Sequence, residues 1–292
     1  MSELRFEPVD ASRSRPVPVK VYLSQGEDPL PVILFSHGLG GSRENNAYLG
    51  SYWAAAGYSA VFMQHPGSDE DVWKSAVAGR RFSALKAAAS ALSSRERFAD
   101  VPFVIDQLEA WNRQTGHELH GRLNLERIGM SGHSYGAVTT LALAGQKYAF
   151  NRTYSDPRIG AFLAMSPQPG RLPDTQAVFG HLTQPILCMT GTKDGSPIDP
   201  TLKPSDRRTV YTALPAGDKY QLVLKDAEHM AFGDSRLGNR QRNPKHHTAI
   251  QQISLTFWNA YLKDDLAAKR QLQSAQLITD VGLDTADVWE WK

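Results

Sequence analysis

The sequence has a single cysteine, Cys188, among its 292 residues. A disulfide within the chain is therefore excluded, and so is a metal site built from several cysteine ligands. Cys188 stands within the apolar run 185–189, which predicts a small buried side chain in the core. We expect the fold to rest on a hydrophobic core, for which a chain of this length is sufficient.

Long apolar stretches are also lacking. No run approaches the ~20 apolar residues that a membrane-spanning helix needs. Residues 1–20 contain Arg5, Arg13 and Arg15 and are interrupted by prolines, so they do not resemble an export signal. The sequence as printed therefore predicts a cytoplasmic protein without a membrane span, unless a leader has been removed from it.

An excess of charge of one sign is lacking too, because 32 Lys and Arg against 30 Asp and Glu give a net charge of +2. This balance provides no general attraction to nucleic acid or to an anionic membrane surface. Short basic clusters occur at residues 80–81, 207–208 and 236–247, and we interpret them as solvent-exposed faces. The partner that we expect is a small molecule, and no nucleic acid.

The chain alternates β-prone apolar runs with helical patterns and shows no internal repeat. This alternation predicts an α/β fold, in which a mostly parallel sheet carries helices on both faces, over one domain spanning residues 1–292. Residues 17–23 alternate between apolar and polar, which predicts a half-exposed antiparallel strand. Further strands are expected at 31–36, 58–64, 127–131, 161–166, 186–190 and 220–224, and helices at 46–57, 100–112, 137–144 and 248–262.

The alanine-rich segment from Ser68 to about residue 98 predicts a helical insertion that caps the site. It follows a strand and lies ahead of the helix expected at 100–112. In a parallel sheet the chemistry collects at the carboxyl ends of the strands, which is the edge where this insertion begins.

Residues 132–136 read Gly-His-Ser-Tyr-Gly, between a predicted strand and a predicted helix of small residues. In that context a Gly-x-Ser-x-Gly turn holds the serine hydroxyl clear of the sheet, and its two glycines leave room for the neighbouring chain. Ser134 is therefore the candidate nucleophile. Ser131 lacks the flanking glycines, and His133 is adjacent to the nucleophile on the turn and cannot easily face its hydroxyl.

A serine hydroxyl needs a base within hydrogen-bond reach, and that base needs an acid that fixes its tautomer. With this turn the chain order is serine, acid, histidine. His229 follows the strand at 220–224 and is the candidate base. Asp194 follows the strand at 186–190 and is the candidate acid, with Asp199 as the alternative five residues further on.

Acyl transfer also needs N–H donors for the developing oxyanion. Tyr135 N–H, directly after the nucleophile, and Leu39 N–H, in the glycine-rich turn 37–41, are the candidates. The residues expected to contact the substrate are Gly40, Trp73, Met165 and Phe232.

These motifs resemble the α/β-hydrolase superfamily over nearly the whole chain. Residues 36–53 and 64–69 are similar, more narrowly, to dienelactone-hydrolase-like proteins, which are related to platelet-activating-factor acetylhydrolases and to cutinase-like polyester hydrolases. The resemblance implies hydrolysis of carboxylic esters without a cofactor. Two features depart from it: dienelactone hydrolases use a cysteine nucleophile where this chain has Ser134, and secreted polyester hydrolases commonly have a disulfide and an export signal.

The sequence thus predicts a serine carboxylic-ester hydrolase that forms a covalent acyl-enzyme, acts on short- to medium-chain esters, and uses no metal and no cofactor. The alternatives among enzymes are a deacylase of phospholipids of the platelet-activating-factor type, a polyester hydrolase, a thioesterase and a peptidase. Outside the enzymes, the same fold sometimes serves as a non-catalytic small-molecule receptor. The oligomeric state is left open.

Overall fold

The computed structural model describes residues 1–26, 28–170, 172–234 and 243–292. Part of the basic cluster at 236–247 therefore lies outside the described residues. The strands are β1 Ser2–Phe6, β2 Val9–Asp10, β3 Arg15–Pro16, β4 Val19–Leu23, β5 Leu30–Ser36, β6 Ser59–Met63, β7 Leu123–His133, β8 Ile159–Met165, β9 Ile186–Lys193, β10 Lys219–Glu228 and β11 Val288–Trp291.

The α-helices are α1 Ala47–Ala55, α2 Asp71–Lys74, α3 Arg81–Ala88, α4 Ala91–Arg113, α5 Tyr135–Leu143, α6 Thr175–Phe179, α7 Pro204–Ala213, α8 Pro244–Leu262, α9 Leu266–Leu272 and α10 Leu277–Asp280. Short 3-10 helices occupy Ala149–Asn151 and His229–Phe232. Within the described ranges, no helix has both the length and the hydropathy that crossing a bilayer requires.

Nine strands form one sheet in the order β1-β4-β6-β5-β7-β8-β9-β10-β11. The strands from β6 to β10 in this order pair in parallel, whereas β1, β4 and β11 pair antiparallel at the two edges. The predicted mostly parallel sheet with helices on both faces is confirmed. Its parallel strands are rich in aliphatic side chains because helices cover both faces.

Two apolar layers enclose the sheet. On one face α4 and α5 pack through residues such as Val101, Ile105 and Leu141. On the other face α1 and α8 pack through residues such as Trp53 and Trp258, whose rings meet edge to face at 6.0 Å. The helices thus bury the inner strands of the sheet, while the edge strands β1 and β11 stay partly exposed.

The expectation of a half-exposed strand at residues 17–23 is wrong, although its antiparallel direction is right. Every residue of β4 is buried. Val19 and Val21 join the core layer of α4, while Tyr22 joins the layer of α1 on the opposite face. The polar member of the alternation, Lys20, is satisfied by ion pairs with Glu3 and Glu44 rather than by water.

The segment 68–98 contains α2, α3 and the first two turns of α4. The helix expected at 100–112 is therefore the second part of a longer helix of 23 residues, which continues through Pro102. Ser90 caps this helix, with its hydroxyl accepting a hydrogen bond from Ser93 N–H at 3.1 Å. The helix joins the segment directly to the core.

Candidate active site

Three candidate side chains stand at the carboxyl ends of three parallel strands. Ser134 follows β7, Asp194 follows β9 and His229 follows β10. Because these strands are parallel members of one sheet, their carboxyl ends meet at one edge. The structure therefore brings together residues that are 60 and 35 positions apart in the chain.

Ser134 lies between β7 and α5 with φ 58° and ψ −112°, a conformation that few side chains adopt without support. Its N–H donates to Met165 O at 2.9 Å, which ties the turn to β8. A Cβ on Gly132 would stand 2.4 Å from the backbone of Gly136, and a Cβ on Gly136 would stand 1.8 Å from Ser36 O. Both glycines are therefore required by close backbone contacts.

The hydroxyl of Ser134 lies 2.8 Å from His229 Nε2, and His229 Nδ1 lies 2.7 Å from Asp194 Oδ1. Nδ1–H donates to the carboxylate, so Nε2 is left to accept the hydroxyl proton. This is the geometry that a serine nucleophile, its base and an orienting acid need.

Asp194 is fully buried, and its second oxygen, Oδ2, accepts from Thr190 Oγ1 at 2.9 Å. Burial alone would raise the pKa of this carboxyl. The hydrogen bond from His229 and the nearby charge of Arg207 outweigh it and hold the pKa below its usual value. The alternative acid, Asp199, is exposed and accepts from Thr201 instead.

Sequence reasoning missed Arg207, which it placed on a solvent-exposed face. The guanidinium is fully buried on α7, and its Nε lies 3.0 Å from Asp194 Oδ1 and 2.7 Å from Asp194 O. Nη1 donates to Ser166 O at 2.8 Å, and Nη2 lies 3.2 Å from His229 Nδ1. Arg207 therefore links the loop that begins at Asp194, after β9, to the loop that begins at Ser166, after β8.

His133 and Ser131 have other partners. The ring of His133 packs against that of His229 with centroids 4.8 Å apart, and its Nε2–H donates to His229 O at 3.1 Å. Burial lowers the pKa of His133 to about 3, so the ring is neutral and supports the base loop. Ser131 donates to Leu34 O within the sheet.

The turn 37–41 lies beside Ser134, because a Cβ on Gly38 would stand 3.6 Å from Ser134 Cβ. Gly40 N–H donates to Ser68 O at 2.9 Å and Gly41 N–H donates to Gly38 O at 3.0 Å. In the part of the chain that the structure describes, the N–H groups of Leu39 and Tyr135 donate no such hydrogen bond. Tyr135 also begins α5, whose positive end faces the site.

A second Ser-His-Asp arrangement lies behind this turn. Ser36 Oγ is 2.9 Å from His65 Nε2, and His65 Nδ1 is 2.9 Å from Asp100 Oδ2. All three side chains are fully buried, so no substrate reaches this serine. The arrangement is a scaffold, in which Arg15 neutralises the carboxylate at 2.8 Å.

A cavity of about 1220 Å³ opens above Ser134. Trp73 lines it and donates from Nε1 to Gly40 O at 2.8 Å, which fastens the segment 68–98 to the turn. Other apolar side chains of the wall are Leu39, Phe82, Leu85, Phe98, Val138, Tyr148, Tyr154, Ile198, Leu202 and Met230.

Two residues expected to contact the substrate do not line this cavity. Met165 and Phe232 are fully buried in the core layer on the face of α1 and α8. Met165 is the last residue of β8, where an apolar side chain packs under the sheet edge, while Phe232 O accepts from Asn46 Nδ2 at 2.7 Å. Gly40 and Trp73, by contrast, stand in the cavity wall.

Within the described ranges, no group of three or more His, Cys, Asp or Glu side chains is arranged to hold a metal ion. The buried thiol of Cys188 lies in the core, where burial raises its pKa to about 12.

A family model described as platelet-activating factor acetylhydrolase, isoform II, matches residues 1–97, about a third of the chain. Among solved structures, a ferulic acid esterase from Streptomyces cinnamoneus matches with a TM-score of 0.63 and 19% identity, covering 90% of each chain. No curated protein matches the sequence. The structural match, together with the strand order, shows an α/β-hydrolase fold.

Proposed function

We propose that this α/β-hydrolase is a serine carboxylic-ester hydrolase that works through a covalent acyl-enzyme. The observation that carries the proposal is the pair of hydrogen bonds from Ser134 Oγ to His229 Nε2 and from His229 Nδ1 to Asp194, at 2.8 and 2.7 Å. The match of residues 1–97 to an acetylhydrolase family and the fold shared with an esterase support the same class of enzyme.

In acylation, Ser134 Oγ attacks the ester carbonyl carbon while His229 Nε2 takes the hydroxyl proton. The carbonyl π electrons move to oxygen, and the resulting anion is held by the N–H groups of Leu39 and Tyr135. When the tetrahedral intermediate collapses, the C–O bond to the alcohol breaks and His229 gives its proton to the departing oxygen. Asp194 stabilises the imidazolium between these two transfers.

Deacylation repeats the sequence with water as the nucleophile. His229 Nε2 removes a proton from water, the resulting oxygen attacks the acyl carbon, and collapse returns the proton to Ser134 Oγ. The products are a carboxylic acid and an alcohol, so the cycle needs no cofactor to balance it.

The cavity sets the range of substrates. Its volume of about 1220 Å³ exceeds what an acetyl group alone requires, and its wall is largely apolar. We assign it to short- to medium-chain esters. The family match favours a second candidate, the deacylation of a phospholipid of the platelet-activating-factor type. A receptor without catalysis would not need a histidine held between a buried carboxylate and a serine.

The test uses p-nitrophenyl esters of increasing acyl length, together with a fluorophosphonate probe whose site of attachment is read by mass spectrometry. Wild type should hydrolyse at least the shorter esters and carry the label on Ser134. Ser134→Ala should lose both properties. Ser131→Ala, a buried serine three residues earlier, should keep both. Absence of turnover on every ester, together with absence of label, would overturn the proposal.

A comparison of two substrates distinguishes the second candidate function from the first. If the enzyme is a deacylase of the platelet-activating-factor type, kcat/KM for an acetyl ester at the sn-2 position of a phospholipid should exceed that for p-nitrophenyl acetate. Because p-nitrophenolate is the better leaving group, a preference for the phospholipid would have to come from its recognition by the enzyme. The reverse order would assign the protein to small soluble esters.

A further inference from the structure

Arg97 is fully buried on α4. Among the described residues, no carboxylate lies within ion-pairing distance of its guanidinium. Burying a cation without such a partner is costly unless its N–H groups are well bonded. The contacts of the Arg97 guanidinium must therefore compensate for the cost of burying its charge.

The guanidinium of Arg97 forms hydrogen bonds with the turn that contains Leu39. Both Nη1 and Nη2 donate to His37 O at 2.9 Å, two residues before the proposed oxyanion donor. His37 Nδ1–H donates to Gly38 O at 2.6 Å, while His37 Nε2 accepts His65 N–H at 3.1 Å. The backbone of the turn is thus fixed from both sides.

The same guanidinium covers the ring of Tyr135, with its central carbon 4.4 Å from the ring centroid. The Tyr135 hydroxyl donates to Ser90 O at 3.1 Å and lies 2.8 Å from Ser94 Oγ, so α4 and its capping residue also hold the hydroxyl end of this side chain. Tyr135 supplies the second proposed oxyanion donor. Arg97 therefore contacts both the turn that contains Leu39 and the side chain of Tyr135.

Arg97 is itself held in place from behind. Nε donates to Ser68 Oγ at 2.9 Å, and Nη1 lies 3.4 Å from Ser36 Oγ in the buried Ser36-His65-Asp100 arrangement. Burial lowers the pKa of Arg97 to about 10, so the guanidinium remains charged at neutral pH. Burial and the charge of Arg97 lower the pKa of His65 to about 4, so that ring is neutral.

We propose that Arg97 is a positioning residue that sets the separation of the two oxyanion donors, Leu39 N–H and Tyr135 N–H. The inference rests on the esterase function proposed above. Arg97 acts through His37 O and the Tyr135 ring, and it does not touch the substrate. A shift of a few tenths of an ångström in either donor weakens its bond to the oxyanion, which forms only in the transition state.

The test compares p-nitrophenyl acetate with its thiono analogue, in which sulfur replaces the carbonyl oxygen. Both release p-nitrophenolate, but sulfur accepts hydrogen bonds poorly, so the ratio of their kcat/KM values reports on the oxyanion donors. In Arg97→Met, we expect kcat for the ester to fall about 10- to 100-fold, less than the ~10²–10³-fold loss on removing a donor outright. KM and the rate on the thionoester should change little, so the ratio should fall by a similar factor.

Arg158→Met is the matched control. Arg158 is also held by several hydrogen bonds, to Asp156, Asp106 and Glu109, but it precedes β8 at the opposite end of the sheet. Its loss should lower the melting temperature and leave the ester-to-thionoester ratio as in wild type. A purely structural role for Arg97 would lower both rates together and leave its ratio unchanged too, which would overturn the proposal.

Arg97→Lys keeps the charge and a single donor to His37 O but loses the fork. If Arg97→Met does not fold, this variant decides: a reduced ratio supports the proposal and an unchanged ratio overturns it. Failure of the proposed function gives a different result, because wild type would then hydrolyse neither the ester nor the thionoester.

Discussion

The α-carbon of Gly136 lies so close to the carbonyl oxygen of Ser36 that a methyl group on residue 136 would stand 1.8 Å from that oxygen. The contact joins the start of α5 to the end of β5, and hence the turn that carries Ser134 to the turn 37–41. Two backbones approach closely here because one of them carries no side chain.

Gly136→Ala should therefore disrupt the site more than a methyl group added at a glycine with open space around it. Neither backbone can move without displacing Ser134 or the turn 37–41, so we expect the free energy of unfolding to fall by about 3 kcal/mol or more, the upper range for overpacking. Urea denaturation measures this change, and ester hydrolysis should be lost in whatever protein folds.

Gly160→Ala is the control for this variant. A Cβ there would have only Ile128 O as a neighbour, at 3.9 Å, and the residue has no unusual backbone conformation. Its stability should stay within about 1 kcal/mol of wild type. Equal losses in the two variants would show that the Ser36 contact is not the cause.

Asp194→Asn should lower kcat for p-nitrophenyl acetate by roughly 10⁴-fold with little change in KM, as expected when the orienting carboxylate of such a site becomes an amide. The amide can neither fix the Nδ1–H tautomer of His229 nor stabilise the imidazolium. Asp199→Asn should keep activity within about threefold of wild type, because Asp199 bonds Thr201 and not the base. The opposite ranking would make Asp199 the acid.

The sequence predicted a mostly parallel sheet and the positions of its parallel strands along the chain, because strands buried on both faces are continuous apolar runs. It did not predict the order of the strands within the sheet. The same runs placed the candidate nucleophile, acid and base, since each follows such a strand directly. The short edge strands β1 and β11 were missed: they cover one sheet edge each and carry only a weak apolar pattern.

The buried arginines were missed for a different reason. Arg207 contacts Asp194 across 13 residues and Arg97 contacts His37 across 60, and no local spacing encodes such contacts. A signal was nevertheless present. Arg97 shares the apolar face of α4 with Val101 and Val104, and Arg207 shares that of α7 with residues 210 and 211. A cation at an apolar-face position indicates a buried guanidinium with specific partners.

Met165 and Phe232 were predicted to contact the substrate because of their position in the sequence, and this prediction was wrong. Both stand next to the site in sequence, at the end of β8 and just after His229. Side chains alternate along a strand and turn with a helix, so adjacency in sequence does not decide which face a residue presents. The structure places both in the core.

Leu85→Ala should shift the enzyme towards bulkier esters. Leu85 Cδ2 would stand 2.6 Å from a Cβ on Gly40, so this side chain of the segment 68–98 covers the turn 37–41. Removing it enlarges the cavity beside the reacting carbon. We expect the ratio of kcat/KM for p-nitrophenyl benzoate to that for p-nitrophenyl acetate to rise by about 10-fold.

Leu92→Ala is the control for the change in specificity. Leu92 belongs to the same segment but is 67% exposed and faces away from the cavity over Ser134. The ratio of the two esters should stay as in wild type. If both variants shift it alike, the effect comes from loosening of the segment rather than from space next to Gly40.

Stability should fall steeply on mild acidification, because His37, His65 and His133 are buried in the neutral form. Burial lowers the pKa of His65 to about 4 and that of His133 to about 3, and it lowers the pKa of His37 well below its usual value. In the unfolded chain these rings bind protons near pH 6.5. Below that pH the unfolded state binds more protons than the folded state, so the free energy of unfolding falls as the pH drops.

Each such histidine contributes a slope of about 1.4 kcal/mol per pH unit between its unfolded and folded pKa values. The window from pH 6.5 to 5 isolates this effect from the carboxylates, which titrate lower. Burial also lowers the pKa of His246. Urea denaturation at half-unit steps should therefore show a slope of about three protons per molecule or more, and His133→Gln should reduce it by about one. His120→Gln, at an exposed position, should leave the slope as in wild type. A flat profile over this window would mean that the three rings take up protons without unfolding.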